Sequence, residues 1–147
     1  MIVTYPNKLL RQKSTTVKTE EFSSPEIKKL IADMKYWIKK AGGVGLAAVQ
    51  IGTLKRIILV EIDGNIGAYI NPKITKRSLK KIAIEEGCLS VPGKNGYVKR
   101  SQKITVKTLN EQGDMIKLDL KNIPSIIFQH EIDHLNGVLF IDKLIKK

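Results

Sequence analysis

Both histidines of the chain lie in one short segment near its C-terminal end, QHEIDHLNGVLF at residues 129–140. His130 and His134 are four residues apart, so on a helix their imidazole rings project from the same face. Glu131 lies between them, and two histidines at this spacing with an adjacent carboxylate are typical of a catalytic metal site. The segment therefore predicts a metal site built on a helix.

A catalytic site of this type usually takes three protein ligands and leaves one position open. Thermolysin-like enzymes and metzincins take the third ligand downstream, but Asp142 is the only acid after His134, and Phe140 stands where a third histidine would be. The third ligand is therefore expected upstream. The one cysteine, Cys88 in EEGCLSVPG, is a candidate because a thiolate binds zinc or iron strongly.

The bulk composition is that of a globular protein, and we expect residues 1–147 to form a single catalytic domain. Hydrophobic residues make up 42% of the chain, which argues against disorder. A lone cysteine excludes an internal disulfide and indicates a reducing compartment. No segment is apolar enough for a signal peptide or a membrane helix. We expect a cytoplasmic protein without a membrane partner, or an organellar or host-cell one if the gene is organellar or viral.

The formal net charge is +12, and lysines occur in pairs such as Lys28-Lys29 and Lys80-Lys81. A basic surface favours polyanionic partners. The alternative is a lysine-rich composition on solvated faces, because no basic patch with interspersed aromatic residues is visible. The net charge alone does not decide between a polyanionic partner and solvated lysines, and DNA binding is not expected.

A first helix is predicted to begin after Ser24 and to end at Gly42-Gly43. Ser24-Pro25-Glu26 combines a capping residue, a first-turn proline and an early acid. Apolar residues then recur at helical spacing, at Ile27, Leu30, Ile31, Met34, Ile38 and Ala41. The preceding 24 residues are expected to be extended and irregular.

Two pairs of antiparallel strands are predicted next. The segments RIILVEI (56–62) and IGAYIN (66–71) flank a hairpin turn at Asp63-Gly64-Asn65. KITVKTL (103–109) and MIKLDL (115–120) alternate apolar and polar residues, so one face of their sheet should be solvated. Between the two pairs, Glu86-Gly87-Cys88 is expected to be a turn and VPGKNGYVKR (91–100) a loop.

A second helix is predicted to follow Asn122-Ile123-Pro124 and to stop at Asn136-Gly137. The order helix, strands, helix predicts an α+β fold. Antiparallel sheets would pack around this C-terminal metal-binding helix with its HExxH motif, and the earlier helix would be amphipathic. A metal at the histidines would then bridge helix and sheet.

The segment GGVGLAAVQIG at residues 42–52 resembles a dinucleotide-binding loop, because residues 43–48 fit the pattern G-x-G-x-x-A. Such a loop follows a strand and opens a helix. This one follows a helix and leads into a strand, so a nucleotide site is not expected. The glycines are better explained by close approach of the backbone to an extended ligand.

Three motifs in this order, GVGLAAVQ, EGCLS and HEIDH, resemble those of peptide deformylases. That family removes the formyl group from formyl-methionine at the N-terminus of newly made polypeptides, and the resemblance covers nearly the whole chain. It implies one divalent metal ion, natively often Fe(II) with nickel, cobalt or zinc as substitutes, bound by Cys88, His130 and His134. It also implies that Glu131 is the general acid/base, and that Gln50 and the backbone N–H of Leu89 hold the carbonyl oxygen.

Other residues are candidates for supporting roles. Glu86 is expected to orient a histidine by accepting its other ring proton, with a plain strand-end charge as the alternative. Arg100 and Asp133 either pair and brace the helix or are solvated. The candidates for the substrate pocket, of which the apolar ones could equally be core, are Val44, Gly45, Leu89, Ile126 and Ile127.

The substrate implied by the resemblance is the N-formyl-methionyl end of a nascent polypeptide. The chain stops soon after the second helix, whereas many bacterial members continue with a longer one. We therefore expect any ribosome contact to be weak and electrostatic, through the net charge and the lysine-rich end IDKLIKK.

Two alternatives to this function remain. One is an HExxH metallopeptidase with an upstream cysteine ligand, and the other is a non-catalytic, metal-stabilised binding module. Glu131 argues against the second, since a structural metal site has no need of an uncoordinated acid.

Overall fold

The computed structural model of the chain describes residues 1–146, so Lys147 of the lysine-rich end lies outside the described residues. Two α-helices enclose seven strands along the described chain. Their bounds are α1 Pro25–Ala41, β1 Gly45–Ala47, β2 Ile57–Ile62, β3 Asn65–Arg77, β4 Lys81–Cys88, β5 Val91–Ser101, β6 Lys103–Leu109, β7 Met115–Lys121 and α2 Ile123–Leu135. The predicted α+β class is confirmed.

The strands form two antiparallel sheets. Five of them pair in the order β1-β2-β3-β6-β7, and β4 pairs with β5 in a separate two-stranded sheet. Helix α1 and helix α2 pack against opposite faces of the larger sheet. The neighbouring residues Leu59 and Val60 of β2 point to opposite faces, and Leu59 belongs to the core under α1 while Val60 belongs to the core under α2. The smaller sheet contacts α2 through β5, and this contact brings β4 to the helix that carries the histidines.

The ends of α1 follow from the residues that cap it. Ser24 accepts a hydrogen bond from the backbone N–H of Ile27 at 3.3 Å, which satisfies a free donor of the first turn. Gly42 adopts a left-handed conformation with φ of +68°, which closes the last turn. Both predicted ends are confirmed, and Gly42 directs the chain into β1 beside the candidate site.

The predicted hairpin between β2 and β3 is also confirmed. Ile62 pairs with Asn65, so the turn consists of Asp63 and Gly64, both with positive φ as the tightest hairpin turns require. Strand β3 continues beyond the predicted end at residue 71 as far as Arg77, through register shifts that keep it paired with β6.

The prediction of a turn and a loop between residues 86 and 100 was wrong. Glu86, Gly87 and Cys88 are the last residues of β4, and VPGKNGYVKR lies in β5. The pairing jumps from Gly87 opposite Asn95 to Cys88 opposite Val91, so the residues between Val91 and Asn95 bulge out of the ladder. The bulge accommodates the proline and glycine that made the segment resemble a loop.

The first 24 residues are more ordered than predicted. They contain short 3₁₀ helices at Lys8–Arg11 and Thr19–Glu21, and Leu10 is fully buried. The backbone N–H of Tyr5 donates to the carbonyl of Ser90 at 2.7 Å, which ties this segment to the β4–β5 turn. No helix in the described part of the chain is long and apolar enough to cross a membrane.

Candidate metal centre and active site

Helix α2 positions the two histidines and the glutamate between them. The helix has Pro124 in its first turn and is followed by Gly137 with φ of +74°. His130, Glu131 and His134 are all buried, at 9%, 4% and 1% exposed. Because α2 packs on β1 and β2, these side chains face the interior of the protein rather than solvent.

Cys88 approaches the histidines from the end of β4. Its Sγ lies 3.3 Å from Nε2 of His134, and the donor atoms of Cys88, His130 and His134 all lie within 4.8 Å of one another. Ligands bind a zinc-type ion at about 2.0–2.3 Å, so donors that share one ion lie at most about 4.6 Å apart. The spacing is close to what one ion needs, and a thiolate with two imidazoles suits a borderline or soft transition metal.

Glu86 holds His130 in one orientation. Nδ1 of His130 lies 2.8 Å from Oε1 of Glu86. Burial works to raise the pKa of Glu86, but the hydrogen bonds from His130 and Arg100 hold it below its ordinary value. The ionised carboxylate can only accept, so Nδ1 is the donor, and Nε2 is the ring nitrogen left for a metal.

Arg100 connects Glu86 to helix α2. Its Nε and Nη2 donate to the two carboxylate oxygens of Glu86 at 2.6 and 3.0 Å, and its Nη1 donates to Asp133 at 2.9 Å. The Arg100 side chain is only 2% exposed. Lys143, near the described C-terminal end, reaches the same oxygen of Asp133 at 3.0 Å. These contacts brace α2 against β4 and β5.

The electrostatics of Cys88, His130 and His134 favour a single positive charge between them. Burial works to lower the pKa of His130, but hydrogen bonds with Cys88 and Glu86 raise it to about 10. Burial, together with the charge on His130, lowers the pKa of His134 well below its ordinary value. A metal bound by the two ring nitrogens would supply that positive charge in place of the proton, so the residues fit a metal ion in charge as well as in spacing.

Glu131 lies beside the ligands and lines a cavity of about 440 Å³. Burial raises the pKa of its carboxyl group to about 7. Its Oε1 is buried and has no hydrogen-bond partner among the described residues. A Cβ atom at Gly45 would clash with the same carboxyl group, so glycine is required for β1 to pass this closely.

The side chain of Gln50 is held at the cavity by the backbone of Ala47 and by a serine. Its Oε1 accepts from the N–H of Ala47 at 2.8 Å, and its Nε2 donates to Oγ of Ser90 at 3.1 Å. The same Nε2 lies 3.7 Å from Sγ of Cys88. Ser90 was not among the predicted site residues, although it is a polar residue two positions after the candidate ligand Cys88 in an otherwise apolar segment.

The cavity collects the predicted pocket residues. Leu89 lies in the two-residue turn between β4 and β5, and Val44, at 49% exposed, is the most open of the five candidates. Ile126 and Ile127 enter from the first turns of α2. The lining residues are Gly42, Gly43, Val44, Gly45, Gln50, Ile84, Glu85, Glu86, Gly87, Cys88, Leu89, Ile123, Ile126, Ile127, His130 and Glu131.

The structure therefore brings the sequence-predicted site residues into one region. Cys88, His130 and His134 form the candidate ligand cluster. Cys88 and His130 line the cavity as well, together with Glu131. Arg100 and Asp133 form a pair, which decides between the two alternatives left by the sequence.

Comparison with known proteins agrees with this geometry. The sequence profile of the family described as Polypeptide deformylase matches residues 1–147. A peptide deformylase of Aquifex aeolicus is 42% identical over 149 residues, which cover 97% of this chain and 86% of the relative.

Solved structures are similar throughout. The peptide deformylase of Thermotoga maritima superposes with a TM-score of 0.94 at 35% identity, over 99% of this chain and 97% of that one. A Met-Ala-Ser-bound class I type b peptide deformylase of Acinetobacter baumannii gives 0.95 at 32% identity, over 98% and 97%. The metallopeptidase and binding-module alternatives are not favoured, and the chain belongs to the polypeptide deformylase family.

Proposed function

We propose that Glu131 is the acid/base with which this chain removes the formyl group from N-terminal formyl-methionine, the reaction of its family. The observation that carries the proposal is the setting of this carboxyl group. It is buried, lines the cavity next to the Cys88, His130 and His134 cluster, and has an oxygen without a partner in the described chain. A carboxyl group placed in this way is free to exchange a proton with a substrate in the cavity.

The metal ligands would be Cys88, His130 and His134, and we propose Fe(II) as the native ion, with nickel, cobalt or zinc as substitutes. When bound, such an ion supplies Lewis-acid activation of water and of the formyl carbonyl group. The thiolate supports this choice because it favours a transition metal over magnesium or calcium. Metal analysis of protein purified without air would test the identity of the ion. Cys88→Ser should abolish tight iron binding, and full occupancy in that variant would contradict the ligand set.

The proton transfers would pass through Glu131. Its carboxylate would take a proton from the water molecule as the water oxygen bonds to the formyl carbon. It would return that proton to the amide nitrogen as the C–N bond breaks, leaving a free amine and formic acid, which becomes formate by losing its remaining proton to solvent. The pKa of about 7 that burial gives the carboxyl group suits both steps near neutral pH.

Gln50 and the backbone N–H of Leu89 would stabilise the negative charge that develops on the carbonyl oxygen. Nε2 of Gln50 has two hydrogens, of which Ser90 takes one at 3.1 Å. The second has only the longer contact of 3.7 Å to Sγ of Cys88, so it is the one available to a substrate oxygen. Ser90 would thus act as a positioning residue that fixes the direction of the Gln50 amide.

The cavity also supports a choice of substrate. Ile126, Ile127 and Leu89 would take the methionine side chain, and the bare backbone at Gly43 and Gly45 would lie along the extended peptide. The bound Met-Ala-Ser of the Acinetobacter baumannii relative is a peptide that begins with this side chain. A formyl group carries only hydrogen on its carbonyl carbon, so a narrow site can admit it and exclude acetyl.

The proposed function is tested by formate release from formyl-Met-Ala-Ser, with acetyl-Met-Ala-Ser and unformylated Met-Ala-Ser as comparison substrates. Glu131→Gln should keep the metal and the fold while turnover falls by about 10²–10⁴. Glu20→Gln makes the same chemical change at an exposed position and serves as the matched control. Wild-type turnover in Glu131→Gln at equal metal content would overturn the assignment, and cleavage of internal peptide bonds would indicate a peptidase.

The partner of the reaction is a nascent polypeptide, and we propose that the enzyme meets it in the cytoplasm at the ribosome. The net charge of +12 supports an electrostatic contact with ribosomal RNA. Such binding should weaken steeply with salt while activity on a free formylated peptide changes much less.

A further inference from the structure

The outer face of β3, β6 and β7 is made largely of lysines. In these strands the core-facing residues include Ile104, Val106, Leu118 and Leu120, so the alternate residues point away from α2. We call this surface the cationic face. It consists of the exposed side chains of Lys73, Lys76, Lys103, Lys107, Lys117 and Lys121.

The pairing register puts several of these lysines directly opposite one another. Lys73 lies opposite Lys107, Lys107 opposite Lys117, and Lys103 opposite Lys121. Like charges at directly opposed positions destabilise a sheet. The opposed lysines therefore lower the stability of the sheet, and no contact in the described part of the chain compensates for this cost. Such an arrangement is expected where the surface has a function.

Acidic side chains do not neutralise the cationic face. Within residues 1–146, none of its six lysines forms an ion pair with an acidic side chain. Asp119 is the acid in its middle row, and it accepts a hydrogen bond from Thr105 at 2.8 Å. The lysine charges are therefore available to a partner.

Helix α1 leaves this part of the sheet open. It packs against β1 and β2, and its core cluster reaches only as far as Ile70 and Leu109 on the neighbouring strands. Toward the other end of the same strands is a cavity of about 500 Å³, whose lining includes Lys76, Lys103 and Lys121 of the cationic face together with Arg77 and Asp119. The cationic face thus combines a row of opposed lysines with a recess in which four basic side chains outnumber one acid.

We propose that the cationic face binds the phosphate backbone of structured RNA. Adjacent strands are about 4.8 Å apart, so the row Lys73, Lys107 and Lys117 extends over about 10 Å. A nucleic acid duplex presents about one phosphate charge per 1.7 Å of its axis, so several phosphates come within reach of these flexible side chains. Strands β6 and β7 contain no aromatic residue, and Tyr69 of β3 packs against Phe128 on the side of α2, so the face is suited to backbone contact without base stacking.

The RNA that such a face would meet is ribosomal RNA, and this identification rests on the proposed function. The face itself is independent of the catalytic residues, because none of its six lysines lines the cavity that contains Glu131. A protein could therefore hold RNA on this face while a peptide occupies the cavity.

The test compares two triple variants of the metal-loaded protein with equal loss of charge. One carries Lys73→Gln, Lys107→Gln and Lys117→Gln, and the control carries Lys13→Gln, Lys28→Gln and Lys39→Gln at exposed positions elsewhere. Binding to a short RNA duplex is measured across a salt series. The first variant should bind about 100-fold more weakly at 100 mM salt, with a log–log salt slope smaller by about 2–3, because each phosphate contact contributes about 0.9 to the slope.

The control variant should bind the duplex within about threefold of the unsubstituted protein, and co-sedimentation with ribosomes should follow the same order. All three proteins should hydrolyse a free formylated peptide equally, so loss of RNA binding is distinguishable from failure of the proposed function. Equal weakening in both variants would overturn the proposal, because net charge alone would then explain binding. Absence of duplex binding at 50 mM salt, or tighter binding to vesicles of anionic lipid than to RNA, would also overturn it.

Discussion

Replacing Arg100 by methionine should damage both stability and metal binding, because this side chain is the buried partner of Glu86. The replacement removes the hydrogen bonds of 2.6 and 3.0 Å to Glu86 and that of 2.9 Å to Asp133. Glu86, whose side chain is 6% exposed, would keep only His130 as a partner. Removing one member of a buried ion pair typically costs about 3–5 kcal/mol, because the other charge is left without compensation.

The first assay is thermal and denaturant unfolding of the metal-free protein. For a domain of this size, about 3–5 kcal/mol corresponds to a fall in Tm of about 6–20 °C. The second assay is metal affinity by competition with a chelator. Disturbing a carboxylate that orients a metal-binding histidine typically weakens metal binding by about 10- to 100-fold.

The double variant Arg100→Met with Glu86→Met separates the two effects. It removes the buried charge together with its partner, so much of the lost stability should return. Metal affinity should stay low, because His130 would still lack the acceptor for its Nδ1 proton. Lys143→Ala, which breaks the more exposed contact with Asp133, should cost less than about 1 kcal/mol. A loss below about 1 kcal/mol in Arg100→Met, or a double variant no more stable than the single one, would refute the reasoning.

Three further changes have expected outcomes. Gln50→Ala should lower kcat by about 10²–10³ with a smaller effect on KM, because the amide matters most once the oxyanion has formed. Steady-state kinetics would measure both constants, and a change in KM alone would contradict this role. Gly45→Ala should lower kcat by displacing the Glu131 carboxyl group, with far-ultraviolet circular dichroism unchanged. The hydrogen bond from Arg11 lowers the pKa of Asp142 from its ordinary value of 3.8. The pair therefore stabilises the folded protein at pH values above 3.8, and this contribution is lost as the pH falls through the lowered pKa of the folded state. Arg11→Gln should therefore cost less than about 1 kcal/mol at pH 7 and nothing at strongly acidic pH, as measured by urea unfolding.

The sequence predicted best those elements whose signals are local. Ser24 and Gly42 mark the ends of α1, and Asp63-Gly64 marks the hairpin, because capping and turn chemistry depend on residues a few positions apart. The histidine spacing likewise placed His130 and His134 on one buried face of α2.

The missed features depend on contacts distant in the chain. Strand β5 contains Pro92 and Gly93, which locally favour a loop, and it is a strand because β4 pairs with it around a bulge. The role of Ser90 follows from the direction of the Gln50 amide, which lies 40 positions earlier. The opposed lysines of the cationic face require the strand register, which composition alone does not provide.

The candidate metal ligands come from two separately built parts of the fold. Cys88 belongs to the β4–β5 sheet, whereas both histidines belong to α2, which packs on the larger sheet. We expect the β4–β5 hairpin to open locally as one unit, and its closure would then bring the three donors together. Amide hydrogen exchange in β4 and β5 should therefore slow more than in β2 when metal is added, because the ion would cross-link the hairpin to the helix. The rate of metal loss would then report how often this hairpin leaves the body of the protein.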